Sequence, residues 1–209
     1  MAITSVGYER AITYSELGEL GRHAGVSYSV VGMDAFAVSA GSGDRVLNVQ
    51  PGVASGQFIV DSSDAVVNLT GAPVATGDRW DLVVLRRNWT AKTSTIVLIQ
   101  GSATQALPTR STNPGVQDDH PIALVRFSAG QTAVQQVIDL RVWAGDGGCF
   151  AKHRMVRDFL TRIGTRVYIV DRTYVLTISS AGALAWVTDT VIFSSAQPSP
   201  ADVPWLQVP

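Results

Sequence analysis

Up to about residue 143 the apolar positions fall into short runs, rich in Val, Ile and Thr, separated by Gly, Asn, Asp and Pro clusters. That is the signature of strands punctuated by turns. Strands are predicted around Val30-Val31, 36–38, 45–49, 57–60 and 66–69, with breaks at Gly41-Ser42-Gly43-Asp44 and Pro51-Gly52. The run 80–86 is the strongest. Leu82, Val83, Val84 and Leu85 are apolar on both faces, so both faces require cover, and each buried side chain contributes roughly 1.5–3 kcal/mol. Leu82 and Val84 therefore read as residues of a central strand or of a subunit interface. Residues 96–99 repeat the pattern and form the expected hairpin partner across 88–94. Residues 101–119 carry Pro108, Pro114 and Gly115 without periodicity. They read as a long loop, which should pack on something, and a neighbouring subunit is a fair candidate. Strands follow at 121–127 and 137–143. In the second, Ile138, Leu140 and Val142 alternate with Val137, Asp139, Arg141 and Trp143.

The Gly-rich run 144–148 is the clearest candidate boundary, and beyond it the period changes. Met155, Val156, Phe159, Leu160 and Ile163 make one apolar face of a short helix, with Gly164 placed as its C-cap. Three short strands are predicted at 166–170, 173–178 and 183–187, then one at 191–193. The last stretch has alternating prolines and reads as an extended arm, whose Trp205 and Leu206 suggest docking on a neighbour. The predicted architecture is mainly β: an antiparallel β-sandwich over 1–143, a linker at 144–148, a small α+β module of a short helix plus strands over 149–193, and a Pro-rich arm over 194–209.

Composition narrows the function classes. Of 209 residues, 46% are hydrophobic and only 16% charged, against the ~25% charged of typical soluble domains. Such a surface suits a protein covered by other subunits, and equally a compact β protein rich in Ser, Thr and Gly. A net charge of −1 supplies no field to gather nucleic acid or an anionic membrane. The single cysteine, Cys149, rules out an intramolecular disulfide and a Cys-rich metal site, and reads as a small buried residue. No signal peptide is read at residues 1–5, and the apolar runs are too short for a membrane helix. The expectation is a soluble protein made in a cytoplasm.

Candidate chemistry is sparse. Asp118-Asp119-His120 places carboxylates beside an imidazole, which can bind a metal or move protons, but its place before Pro121 also fits ordinary loop-to-strand punctuation. Glu9, Glu16, Glu19, Asp61, Asp64, Asp78 and Asp81 offer acids for glycoside hydrolysis, without a motif that pairs them. No nucleophile elbow, phosphate loop, dinucleotide fingerprint or His-Glu-x-x-His occurs. No catalytic residue, cofactor or metal ligand is assigned, and the expectation is a non-enzyme. Among the five tryptophans, Trp89 with Asn88 at a polar hairpin tip is the best candidate to stack on a sugar. Trp143 reads as core or interface. Leu82, Val84, Trp143, Trp205 and Leu206 are the candidate oligomer or partner contacts.

Several stretches together resemble the minor tail and baseplate proteins of tailed bacteriophages: 38–43, 46–49 with 51–54, 77–86, 121–125, and 130–134 ending in Ile138-Asp139-Leu140-Arg141. Order and spacing agree over about residues 30–143. Residues 159–187 are similar to a small appendage in tail proteins of phages of actinobacteria. The resemblance implies a structural virion component of the tail tip, commonly a homotrimer, that connects the tail hub to fibres or receptor-binding parts. It carries over no catalytic residue. Its partners would be copies of itself, other tail proteins and, in an alternative reading, a host cell-wall carbohydrate; a glycan hydrolase is the third.

Overall fold

The structure is a computed structural model that describes residues 12–13, 16–17, 27–170 and 172–189. The expected strand 191–193 and the Pro-rich arm with Trp205 and Leu206, like Glu9, Glu19 and His23, lie outside the described residues. The chain is mainly β, with 51% in strands, 4% helical, and antiparallel sheets. Among the described residues no helix is long and apolar enough to cross a membrane.

Six short strands come first: β1 (Ser29–Val31), β2 (Val38–Ala40), β3 (Val46–Val49), β4 (Gly52–Gly56), β5 (Ile59–Ser63) and β6 (Val67–Thr70). They form two three-stranded antiparallel sheets, ordered β1-β4-β5 and β2-β3-β6. The long strand β7 (Asp78–Asn88) then pairs with β8 (Thr93–Ile99), and the register sets Leu82 against Ile99 and Leu85 against Ile96. This is the hairpin that the two-sided apolar runs predict. β9 (Thr112–Asn113), β10 (Gln117–Ser128) and β11 (Gln136–Asp139) complete a central sheet of order β11-β10-β7-β8, with β9 beside β10.

The last strands, β12 (Val142–Gly145), β13 (Gly148–Ala151), β14 (Arg166–Ile169), β15 (Arg172–Ile178) and β16 (Leu184–Thr188), form a second five-stranded sheet in sequence order. Only its β13–β14 contact is parallel.

The alternation along β7 explains the layering. Leu82 and Val84 enter one buried cluster with Leu124, Val142, Val156, Val167, Ile169 and Leu176. Val83 and Leu85 enter another with Val30, Phe36, Leu47, Val49, Ala54 and Val125. The C-terminal sheet thus covers one face of the central sheet, and the N-terminal sheets cover the other. Leu82 and Val84 are fully buried within this one chain, which overturns their reading as oligomer contacts.

Three further expectations are corrected. The Gly-rich run 144–148 is a β-hairpin, with Ala144 paired to Cys149 and Gly145 to Gly148 around Asp146-Gly147. It is not a linker, and the residues on either side share a core. The expected helix over 155–163 is a single 3-10 turn, Arg154–Asp158, whose first free N–H, on Met155, is accepted by the His153 imidazole at 3.2 Å. Its apolar spacing reflects burial of Val156, Phe159 and Leu160 in an irregular crossover, and Ile163 is exposed. A parallel neighbour obliges the chain to return to the start of the adjacent strand, and extended backbone covers that distance in fewer residues than a helix. The long loop, finally, packs on its own chain. Gly101 donates to Asp81 at 3.0 Å, Arg110 to the Asp119 carbonyl at 2.6 Å, and Leu107 lies against the core.

Candidate functional site

Asp118, Asp119 and His120 lie inside β10, opposite Arg87, Arg86 and Leu85 of β7. The register brings Asp119 a cation, Arg86, that the linear sequence gave no reason to pair with it. Asp119 accepts two bonds from Arg86, at 2.7 and 2.9 Å, and a third from the Ser111 N–H at 2.9 Å. Asp118 accepts from the Tyr28 hydroxyl at 2.9 Å, and that hydroxyl accepts from Arg110 at 3.1 Å. Arg87, almost wholly buried, donates to Asp61 of β5 at 2.7 Å and approaches the His120 Nδ1 at 3.5 Å. The Tyr28 and His120 rings lie 4.9 Å apart.

Burial governs the electrostatics. It raises the Asp118 carboxyl above its ordinary value despite the opposing Tyr28 bond and the Arg110 and Arg87 charges. Burial, reinforced by the Arg87 and Arg110 cations, holds His120 well below the usual histidine range, so the imidazole is neutral. Tyr28 is raised, first by burial and then by the Asp118 charge. An open cleft of about 660 Å³ lies beside this cluster, lined in part by Tyr28, Gln57, Arg110, Asp118 and Phe159. Two acceptor atoms of its lining residues, Asp118 Oδ2 and Gln57 Oε1, are buried without a partner. Among the described residues no group of three or more His, Cys, Asp or Glu could hold a metal ion. With both oxygens of Asp119 engaged and His120 wholly buried against Arg87 and the Tyr28 ring, the cluster acts as a polar clamp between β5, β7, β10 and the 101–111 loop. Cys149 is buried, and burial pushes its thiol up, which removes the thiolate that nucleophilic chemistry needs.

The tryptophans are sorted differently from the expectation. Trp89 is only 9% exposed, and its backbone N–H donates to the Val116 carbonyl at 3.0 Å. Asn88 accepts from the Ala91 N–H at 2.8 Å. Their sequence reading as a sugar contact is corrected: Trp89 is almost wholly buried, which leaves little of its ring to stack on, and the Asn88 oxygen is occupied in closing a turn. Trp80 is buried, and Trp186 is partly buried with its indole N–H on the Arg157 carbonyl at 3.1 Å. Trp143 is half-buried on β12, with Phe150 of β13 and Tyr168 of β14 exposed beside it. Sequence reasoning missed Phe150 and Tyr168. Eighteen positions apart in number, they become neighbours through the parallel β13–β14 register.

A second surface is apolar and open. On the sheet β1-β4-β5, Val31 lies opposite Val53 and Val60 opposite Ser55. Val31, Val53 and Val60 are exposed, Val60 at 72%. Phe58, 55% exposed, stands at the β4–β5 turn, and Met33 follows β1 with its side chain in solvent.

Comparison with known protein families, with curated proteins and with solved structures finds no match to this chain.

Proposed function

We propose that this chain is a non-enzymatic structural component of the tail tip or baseplate of a tailed bacteriophage, assembling as a homotrimer that connects the tail hub to fibres or receptor-binding parts. The ordered set of resembling segments supports this reading: they lie on or beside β2, β3, β4, β7, β10 and β11, strands of the two N-terminal sheets and of the central sheet. The observation that carries the assembly reading is the open apolar face of β1, β4 and β5. Exposed apolar residues gathered on one face mark protein contact sites, and Val31, Val53 and Val60 share one face of this sheet, interspersed with Ser55 and Ser62, with Phe58 at the adjoining turn.

Light scattering on the purified full chain tests it. A trimer mass is expected, and Phe58→Ser combined with Val60→Lys should return the protein to a folded monomer. A wild-type chain that stays monomeric at high concentration and binds no other tail protein would count against the proposal.

A further inference from the structure

The outer face of the C-terminal sheet carries a row of aromatic rings that the assembly reading does not use. Trp143 pairs with Phe150 across β12–β13, Phe150 with Tyr168 across β13–β14, and Tyr168 with Thr173 across β14–β15. The row therefore runs perpendicular to the strands. Ring centroids are 5.6 Å apart for Trp143 and Phe150 and 6.1 Å for Phe150 and Tyr168, the second pair inclined by only 28°. Phe150 is 39% and Tyr168 44% exposed. Trp143 is held in place from the edge by its indole N–H on the Gly32 carbonyl at 2.9 Å.

Next along the same strands Gly145 faces Gly148. Two side chains are missing there, and the rings border a depression of about 340 Å³ whose far side is Arg166. The result is a short trough, with an aromatic wall, an open peptide floor and polar groups at its margins.

The charges decide what such a trough can hold. Arg141 and Lys152 lie over the Trp143 ring, at 4.8 and 5.4 Å, and share the single carboxylate of Asp139, at 2.7 and 3.4 Å, with Arg141 itself only 4% exposed. Arg166 is paired with Asp189 at 3.0 Å. Single-stranded nucleic acid binds aromatic platforms where a row of cations tracks its phosphates, and here three cations share two carboxylates, Asp139 and Asp189, which leaves a single net charge and no such row. A neutral ligand with alternating apolar faces and hydroxyl edges fits instead. Pyranose rings present C–H faces to aromatic rings, and their hydroxyls both donate to carboxylates and accept from guanidinium and hydroxyl groups. The rings repeat at 5.6 and 6.1 Å along the row, a spacing of the order of one pyranose unit in an extended β-linked chain.

The geometry points to this trough, with Trp143, Phe150 and Tyr168 as its stacking residues, as a binding site for a neutral, extended β-linked glycan. Binding there neither requires nor follows from self-association through the β1-β4-β5 face, so the two can fail separately.

Titration of the full chain with cellohexaose and with chitohexaose, followed by tryptophan fluorescence and calorimetry, tests the site. At least one should bind, with an affinity unchanged between about 50 and 500 mM salt, because no counterions are released. Phe150→Ala and Tyr168→Ala should each weaken binding by about 2- to 12-fold, the range of one aromatic contact. Both side chains are exposed, so these variants keep their fold, which an unchanged melting temperature would verify; Trp143→Ala is the stronger but more disruptive variant. Absence of binding by both sugars overturns the proposal. So does binding that the Phe150→Ala, Tyr168→Ala double variant leaves intact, or a preference for oligo-dT that collapses with salt.

Discussion

Arg141 shows how much one side chain can decide. Only 4% exposed, it donates to both Asp139 oxygens, at 2.9 and 2.7 Å, and to the Met33 and Ala35 carbonyls, each at 2.9 Å. It thereby ties the segment between β1 and β2 to the end of β11. A lysine has the charge but not the fork, so Arg141→Lys should cost about 1.5–3 kcal/mol in urea unfolding, the worth of charged hydrogen bonds lost from a buried position. Asp139 supplies the pH dependence. Burial pushes its carboxyl up, but the Arg141 bonds and charge and the Lys152 charge outweigh this, and it is held below its ordinary value of 3.8. The folded state therefore favours the ionised form. The resulting stabilisation is present above pH 3.8 and is lost as pH falls through the lower, folded value. Wild type should exceed Asp139→Asn in stability at neutral pH, and the difference should shrink steadily below about pH 3.8. A difference that persisted undiminished at pH 2 would refute the assignment. The alternation of residues 137–143 put Asp139 and Arg141 on one strand face in the sequence. The carbonyls that Arg141 holds lie more than a hundred positions away, so no local pattern could name them.

Among the elements, the β4–β5 hairpin departs furthest from its sequence. Residues 57–60 read as strand, yet Gln57 and Phe58 form a two-residue turn with φ of 54° and 60°. Turns of this kind require φ > 0 at both central positions and favour Asn-Gly or Asp-Gly. A bulky residue there costs about 1–2 kcal/mol. Gln57 is buried against the polar cluster, whereas Phe58 stands in solvent. Phe58→Gly should therefore stabilise the isolated subunit by about 1 kcal/mol, after the entropic cost of glycine, while weakening self-association. Urea midpoints and sedimentation measured together check this, and a destabilised variant would mean that the ring packs within its own subunit. The Gly-rich run at 144–148 was misread for the complementary reason. Its Asp146-Gly147 pair is itself a hairpin signal, but five small and polar residues in a row also have the composition of a linker. The 3-10 turn departs from the expected helix because period 3.6 reports only which side chains are buried. Val156, Phe159 and Leu160 satisfy that pattern without a continuous helix.

For the whole molecule, the decisive fact is that the central sheet has no free face. A chain ending at residue 143 would bare Leu82, Val84 and Leu124, all fully buried in the complete protein. We expect residues 27–143 alone to be insoluble or to lack dispersed amide resonances, and the full chain to unfold in one transition by circular dichroism and by fluorescence. A soluble, well-folded 27–143 fragment would instead restore two independent modules. The sequence by itself determined the class: period-two runs cut by turn residues leave little but antiparallel β structure, and the paired runs 82–85 and 96–99 specify a two-sided hairpin, because alternation and turn chemistry are local. Only the tertiary structure decided what covers those two faces, which groups meet Asp118 and Asp119, and that Trp143, Phe150 and Tyr168 form one row. Those outcomes depend on register between strands distant in sequence, and register is fixed by the fit of a whole buried face, not by any residue within it.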